Sequence, residues 1–115
     1  MRRGEIWTVS GCGHYTGKPR PVVIVQDDAF DATASLTICA FTTDETDAPL
    51  FRLLIAPTEL NGLRTPSRLM VDKITTIPKE KLGERLGRLT EGEVVRLNQA
   101  IPVFLGLATP IKAIP

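Results

Sequence analysis

A chain of 115 residues, 43% hydrophobic and 23% charged, suits one domain with a core of its own. Its formal net charge of +1 argues against a general nucleic-acid coat protein. No stretch approaches the ~20 apolar residues of a membrane span, and two cysteines, Cys12 and Cys39, are too few and too far apart for a disulfide framework or a zinc site.

The elements follow in chain order. Glu5 to Val9 reads as a first strand. SGCGHYTGKP follows, a Gly-rich loop long enough to be functional, in which Cys12 is expected as a free thiol. Val22 to Gln26 is the second strand and DDAFDATAS a polar turn with room for one helical turn. Leu36 to Thr42 alternates as a third strand, and the acidic turn TDETDAP is expected to be solvated. Leu50 to Ile55 is the fourth strand. PTELNGLRTP is a loop with Asn61-Gly62 as its tight turn. Ser67 to Val71 is the fifth strand. Ile74 to Leu82 is mixed, with PKEK as a helical turn, and Glu84 to Leu89 is a short last strand. Thr90 and Glu93 have the spacing of a capping box. After them Val94, Leu97, Ile101, Phe104, Leu105 and Ala108 recur at helical spacing and should face the core. Pro102 should kink or end that helix. The pattern predicts a strongly curved antiparallel sheet closed by a C-terminal helix, one domain over residues 1–108, with 109–115 a loose tail. Cys39, in an apolar run, is expected buried, and Trp7 is expected in core or dimer packing.

Charge is spread unevenly. Residues 1–20 carry Arg2, Arg3, Lys18 and Arg20 against Glu5, residues 21–51 carry six acids and no base, and residues 52–115 carry ten bases against six acids. Folding could assemble a basic patch from such a chain. The opening MRRGEIW lacks the apolar segment of a signal peptide, which points to the cytoplasm.

Residues 18–26, KPRPVVIVQ, place a cation between two prolines at the mouth of a β-branched strand. Pro19 fixes its own φ, and Pro21 pushes Arg20 into an extended conformation. Arg20 should therefore project from a stiff backbone, either as a charge that guards a sticky strand or as part of a site. There is no metal-ligand spacing, no phosphate loop before a helix and no nucleophile elbow. The polar candidates are Arg20, Thr42, Thr43, His14, Tyr15, Asp72, Lys73 and Arg68, several of them at strand ends or in the Gly-rich loop.

RRGEIW, then KPRPVVIV after a Gly-rich loop, AFTT at a strand end, LMVDKITTIPKEKLGERLGRLT and a helix ending in FLGL together resemble the MazF/PemK family of toxin endoribonucleases. The resemblance runs from Arg2 to Leu107. It implies an SH3-like barrel or curved sheet of the CcdB/PemK type with a C-terminal helix, a homodimer, and neutralisation by a cognate antitoxin protein. It also implies cleavage of single-stranded RNA, with no metal or other cofactor, by attack of the ribose 2′-hydroxyl on its own phosphate. The family's catalytic arginine falls on Arg20 and its threonine on Thr42. A histidine used by some members falls on His14. An aspartate within an Arg-x-Asp falls on Asp72, with Met70 in the arginine's place. Lys18, Tyr15 and Lys73 are expected to contact RNA, Tyr15 by stacking. The chemistry suits these residues: an arginine can fork onto two phosphate oxygens, a hydroxyl can donate to a third, and a histidine with a pKa near ~6.5 can carry the proton. Two other functions remain open. A CcdB-like gyrase-binding toxin shares the fold but uses a C-terminal Trp-Gly-Ile, whereas this chain ends ATPIKAIP and its only tryptophan is Trp7. A non-catalytic SH3-like module would have no reason to carry Arg20 and Thr42 together.

Overall fold

The structure is a computed structural model that describes residues 1–10 and 18–109. It contains seven strands, β1 (Glu5–Val9), β2 (Arg20–Ile24), β3 (Ser35–Thr42), β4 (Arg52–Ile55), β5 (Ser67–Met70), β6 (Thr75–Pro78) and β7 (Leu82–Arg88), followed by one helix, α1 (Glu91–Phe104). Every ladder is antiparallel, in the order β4-β5-β3-β2-β1-β7, with β6 also on β3. The sheet is curved but not closed, since β4 and β7 end the order and no ladder joins them among the described residues.

The eight-residue β3 organises the sheet. Along one edge it pairs with β2, through Val22↔Ala40 and Ile24↔Ile38. The other edge is shared. Phe41 and Thr42 pair with β5, whereas Ser35 to Ile38 pair with β6. Between them the chain turns through a 3₁₀ turn at Val71–Lys73. Alternation sends Cys39 and Phe41 to one face, with Ile6, Val23, Leu53, Leu69 and Leu97 of α1. Leu36 and Ile38 go to the other face, with Val9, Val22, Ile24 and Ile77. Because β2 is buried on both faces, its sequence is a continuous apolar run and not an alternation.

Several boundaries differ from the sequence-based expectation. β2 starts at Arg20, two residues early, because β1 reaches far enough to pair Val9 with Arg20 and Thr8 with Pro21. It stops at Ile24, where Val25 N–H bonds Thr37 O and the Gln26 side chain accepts from Thr37 N–H. β4 starts at Arg52, because Phe51 N–H and Arg52 N–H both turn back to Ala48 O. β6 was not foreseen as a strand within the mixed stretch, although the helical turn after it is present at Lys79–Lys81. Asn61-Gly62 does form a turn, with Gly62 at φ 68°. Asn61 itself is fully buried: its carbonyl accepts from Thr58 and Leu63 N–H, and its amide donates to Ala56 O.

The capping box of α1 is formed in both directions, Thr90 Oγ1 accepting from Glu93 N–H and Glu93 Oε1 from Thr90 N–H. Pro102 does not stop the helix, which runs two residues further. It ends where Leu107 N–H bonds Pro102 O and Gly106 N–H bonds Val103 O, with Gly106 at φ 78°. This is the left-handed cap that favours glycine. The expected apolar stripe is only half right. Leu97 is buried, Val94 and Ile101 pack at the core's rim, and Ala100 takes a buried place. Phe104, Leu105 and Ala108 are exposed, with the Phe104 ring centroid 5.8 Å from that of Phe51.

Candidate active site

Arg20 is the first residue of β2 and Thr42 the last of β3. Carrying the Val22↔Ala40 register two residues onward sets them opposite each other. Two further ladders extend the row. Arg20 pairs with Val9 on β1, and Thr42 pairs with Arg68 on β5, which pairs in turn with Leu54 on β4. Residues paired across antiparallel strands share a face. Thr42 alternates with buried Phe41, and Arg68 with buried Leu69, so the row lies on the side of the sheet away from α1. Arg20, Thr42 and Arg68 are all half-buried.

The Thr42 hydroxyl is oriented. Its oxygen accepts the Asp44 N–H at 3.1 Å, which leaves its own proton available for another acceptor. The Asp44 carbonyl meets Arg68 Nη1 at 3.4 Å, a long contact. The acidic turn beyond is exposed, as expected.

Asp72 sits in the 3₁₀ turn after β5, and both its oxygens are taken: Arg52 Nε donates to Oδ1 at 2.7 Å and Nη2 to Oδ2 at 3.0 Å. The side chains are 12% and 19% exposed. Arg52 stands directly opposite Met70 in the β4–β5 ladder. A neighbouring strand thus supplies a guanidinium beside the position where the resemblance leads one to look for arginine. The Arg52 hydrogen bonds, against a smaller opposing effect of burial, hold the Asp72 carboxyl below its ordinary value. Sequence reasoning missed Arg52, since only the ladder brings residues twenty apart together. Lys18 is exposed just before β2, and Lys73 is exposed beside Asp72. His14 and Tyr15 lie outside the described residues, as do Cys12 and the end of the expected tail from residue 110 onward.

Trp7 is half-buried against the Val9–Val22 cluster, its indole N–H on Glu5 Oε1 at 3.0 Å. Burial alone would raise the Glu5 pKa. Hydrogen bonds from Arg2 N–H, Trp7 and Arg85 reverse that and lower it. Among the described residues no three His, Cys, Asp or Glu side chains gather as a metal site requires.

The sequence profile of the PemK-like, MazF-like toxins of type II toxin–antitoxin systems matches residues 2–105. The chain is 58% identical over 108 residues to a probable endoribonuclease MazF of Mycolicibacterium smegmatis, covering 94% of this chain and 99% of that protein. It is 30% identical to endoribonuclease MazF9 of Mycobacterium tuberculosis, covering 93% and 98%. Its fold is similar to that of a mycobacterial endoribonuclease solved in complex with its cognate antitoxin, with a TM-score of 0.79 at 26% identity over 96% of this chain and 99% of the other. The match spans nearly the whole chain in sequence and in fold, and the chain belongs to the PemK-like, MazF-like toxin family.

Proposed function

We infer that the chain is the endoribonuclease toxin of a toxin–antitoxin pair and cuts single-stranded RNA by internal transesterification. The observation that carries this reading is the β2–β3 register, which continued two residues past Val22↔Ala40 sets Arg20 opposite Thr42, a cation and an oriented hydroxyl on the sheet face away from α1. In the reaction the ribose 2′-oxygen loses its proton and attacks the adjacent phosphorus. The bond from phosphorus to the 5′-oxygen breaks, and that oxygen takes up a proton. The products are a 2′,3′-cyclic phosphate and a 5′-hydroxyl. Arg20 forks onto the non-bridging oxygens and stabilises the charge of the phosphorane. Thr42 donates its free proton to the same phosphate. His14 carries the proton. Asp72, gripped by Arg52, stays ionised and anchors the turn that presents Lys73 to the strand. Lys18 and Tyr15 contact the RNA. Arg20 supplies the positive charge the phosphorane needs, so cleavage proceeds without a metal.

The test is purified protein with a long single-stranded RNA. Discrete fragments bearing cyclic phosphate are expected, undiminished in excess EDTA and absent when the target ribose is 2′-deoxy. Cleavage of the deoxy strand, or loss of cleavage in EDTA, would overturn the mechanism. A protein that inhibits a gyrase but leaves RNA intact would favour the CcdB-like alternative.

The toxin works as a homodimer and is held inactive by an antitoxin protein. A groove of about 420 Å³ between the approach to β4 and the end of α1 is lined by Leu50, Leu53, Ala100, Pro102 and Val103. Leu50 in that lining, and Leu105 and Leu107 just past the end of α1, are more than half exposed. An apolar surface of this kind on a small domain supports burial against a second copy.

A further inference from the structure

Arg68 has no part in the chemistry described so far, yet it stands next to it. It is the cross-strand partner of Thr42, on the side opposite Arg20, so Thr42 lies between two guanidinium groups. Adjacent strands lie about 4.8 Å apart, which sets Arg20 and Arg68 roughly 10 Å apart at the backbone. Next in the row is Leu54, 48% exposed and uncharged, with Arg96 Nη1 of α1 on its carbonyl at 3.3 Å. Among the described residues, the long contact to Asp44 O is the one hydrogen bond that engages Arg68's five donors. No carboxylate among the described residues forms an ion pair with it, whereas Arg52 on the next strand is fully committed to Asp72. A half-buried guanidinium held on a strand loses less freedom on binding than one on a loop.

We propose that Arg68 is a second phosphate-binding residue, which holds the phosphate next to the scissile one and draws the RNA strand across β2, β3 and β5. The proposal rests on the endoribonuclease reading and adds the direction of the substrate to it. Arg68 grips the strand equally before and during the reaction, so it contributes affinity and not chemical rate.

Binding of a short randomised 2′-O-methyl RNA, which cannot be cut, tests the proposal directly by fluorescence anisotropy across a salt series. Arg68→Gln is expected to weaken binding about tenfold, the low end for one charge-assisted hydrogen bond. It should also flatten the slope of log affinity against log salt by about 0.7, the contribution of one phosphate contact on a single strand. Arg68→Lys should keep the slope, because a point charge still neutralises the phosphate. With a cleavable RNA, Arg68→Gln should raise KM and leave kcat within about threefold. Single uncharged methylphosphonates next to the cut site should weaken the wild type at one position and leave Arg68→Gln indifferent there. An unchanged salt slope in a folded Arg68→Gln protein overturns the proposal. So does a fall in kcat with KM unchanged, which would mean that Arg68 only steadies Thr42 through Asp44. Failure of the wild type to cut any RNA would remove the endoribonuclease reading, while the anisotropy series would still decide whether Arg68 binds phosphate.

Discussion

At the scale of single residues, the proposed catalytic positions lie outside the core. Arg20 stands at the first position of a strand and Thr42 at the last, both half-buried, so neither completes the core. Arg20→Ala should lower kcat by about 10²–10³, the scale for losing one preorganised donor. It should cost about 1 kcal/mol of stability or less, no more than an ordinary substitution. Arg20→Lys should not restore the rate, because an ammonium cannot fork onto two oxygens. Thr42→Ser should keep much of the activity and Thr42→Ala little, since the Asp44 N–H fixes the oxygen of either hydroxyl. Single-turnover rates and thermal melts decide both points, and a folded, fully active Arg20→Ala protein would remove Arg20 from the chemistry. His14→Ala should flatten the rate–pH profile between about pH 5 and 8; an unchanged profile makes it a bystander. Cys39 behaves in the opposite way. Burial pushes its thiol up to about 12, so a thiolate reagent should leave it unmodified in the native protein and label it only in denaturant. Native labelling of Cys39, read by mass spectrometry, would contradict its burial.

At the scale of elements, the turn between β5 and β6 is held by one ion pair. β3 changes partner there, from β5 to β6, and the Arg52–Asp72 fork ties the turn to β4. Asp72→Asn should cost about 1.5–3 kcal/mol at neutral pH, the range for hydrogen bonds to charged groups. The folded pKa of Asp72 lies below its ordinary 3.8. Its contribution is therefore complete above that ordinary value and fades as pH falls through the folded one. The stability gap between wild type and Asp72→Asn should be full at pH 7 and should shrink below about pH 4. Urea titrations at several pH values measure it, and a gap independent of pH would show that the carboxylate's charge is not what matters.

At the scale of the whole molecule, the sheet has one face covered by α1, and its apolar surface continues past the end of the helix. Phe104, Leu105 and Leu107 are exposed at the end of α1 and just past it, as is Leu50 in the groove lining. Light scattering should give twice the chain mass at micromolar concentration, and Leu105→Glu should shift the protein toward monomer while leaving its melting profile two-state. A wild-type monomer at that concentration would place the dimer proposal in error.

Strand positions and the helix start were legible because their causes are local. Alternation in Leu36 to Thr42, the β-branched run after Pro21 and the Thr90–Glu93 capping box all act within a few residues. Arg20 and Thr42 were singled out through the family resemblance and through prolines flanking Arg20, and their role in the chemistry is the proposal made above. Most of what was not legible depended on residues far apart in the chain. β6 pairs with β3, and the β-branched run Ile74 to Ile77 is a strand signal that the mixed reading passed over. Phe104 and Leu105 keep helical spacing, but both are exposed outside the core. Arg52 meets Asp72, and Arg68 flanks Thr42, only through ladder register, which no local pattern encodes. Local chemistry determined which residues could act and which segments could be strands; the pairing of β2 with β3, β3 with β5 and β5 with β4 decided which of them stand side by side, because register is set by the simultaneous burial of both faces of the sheet.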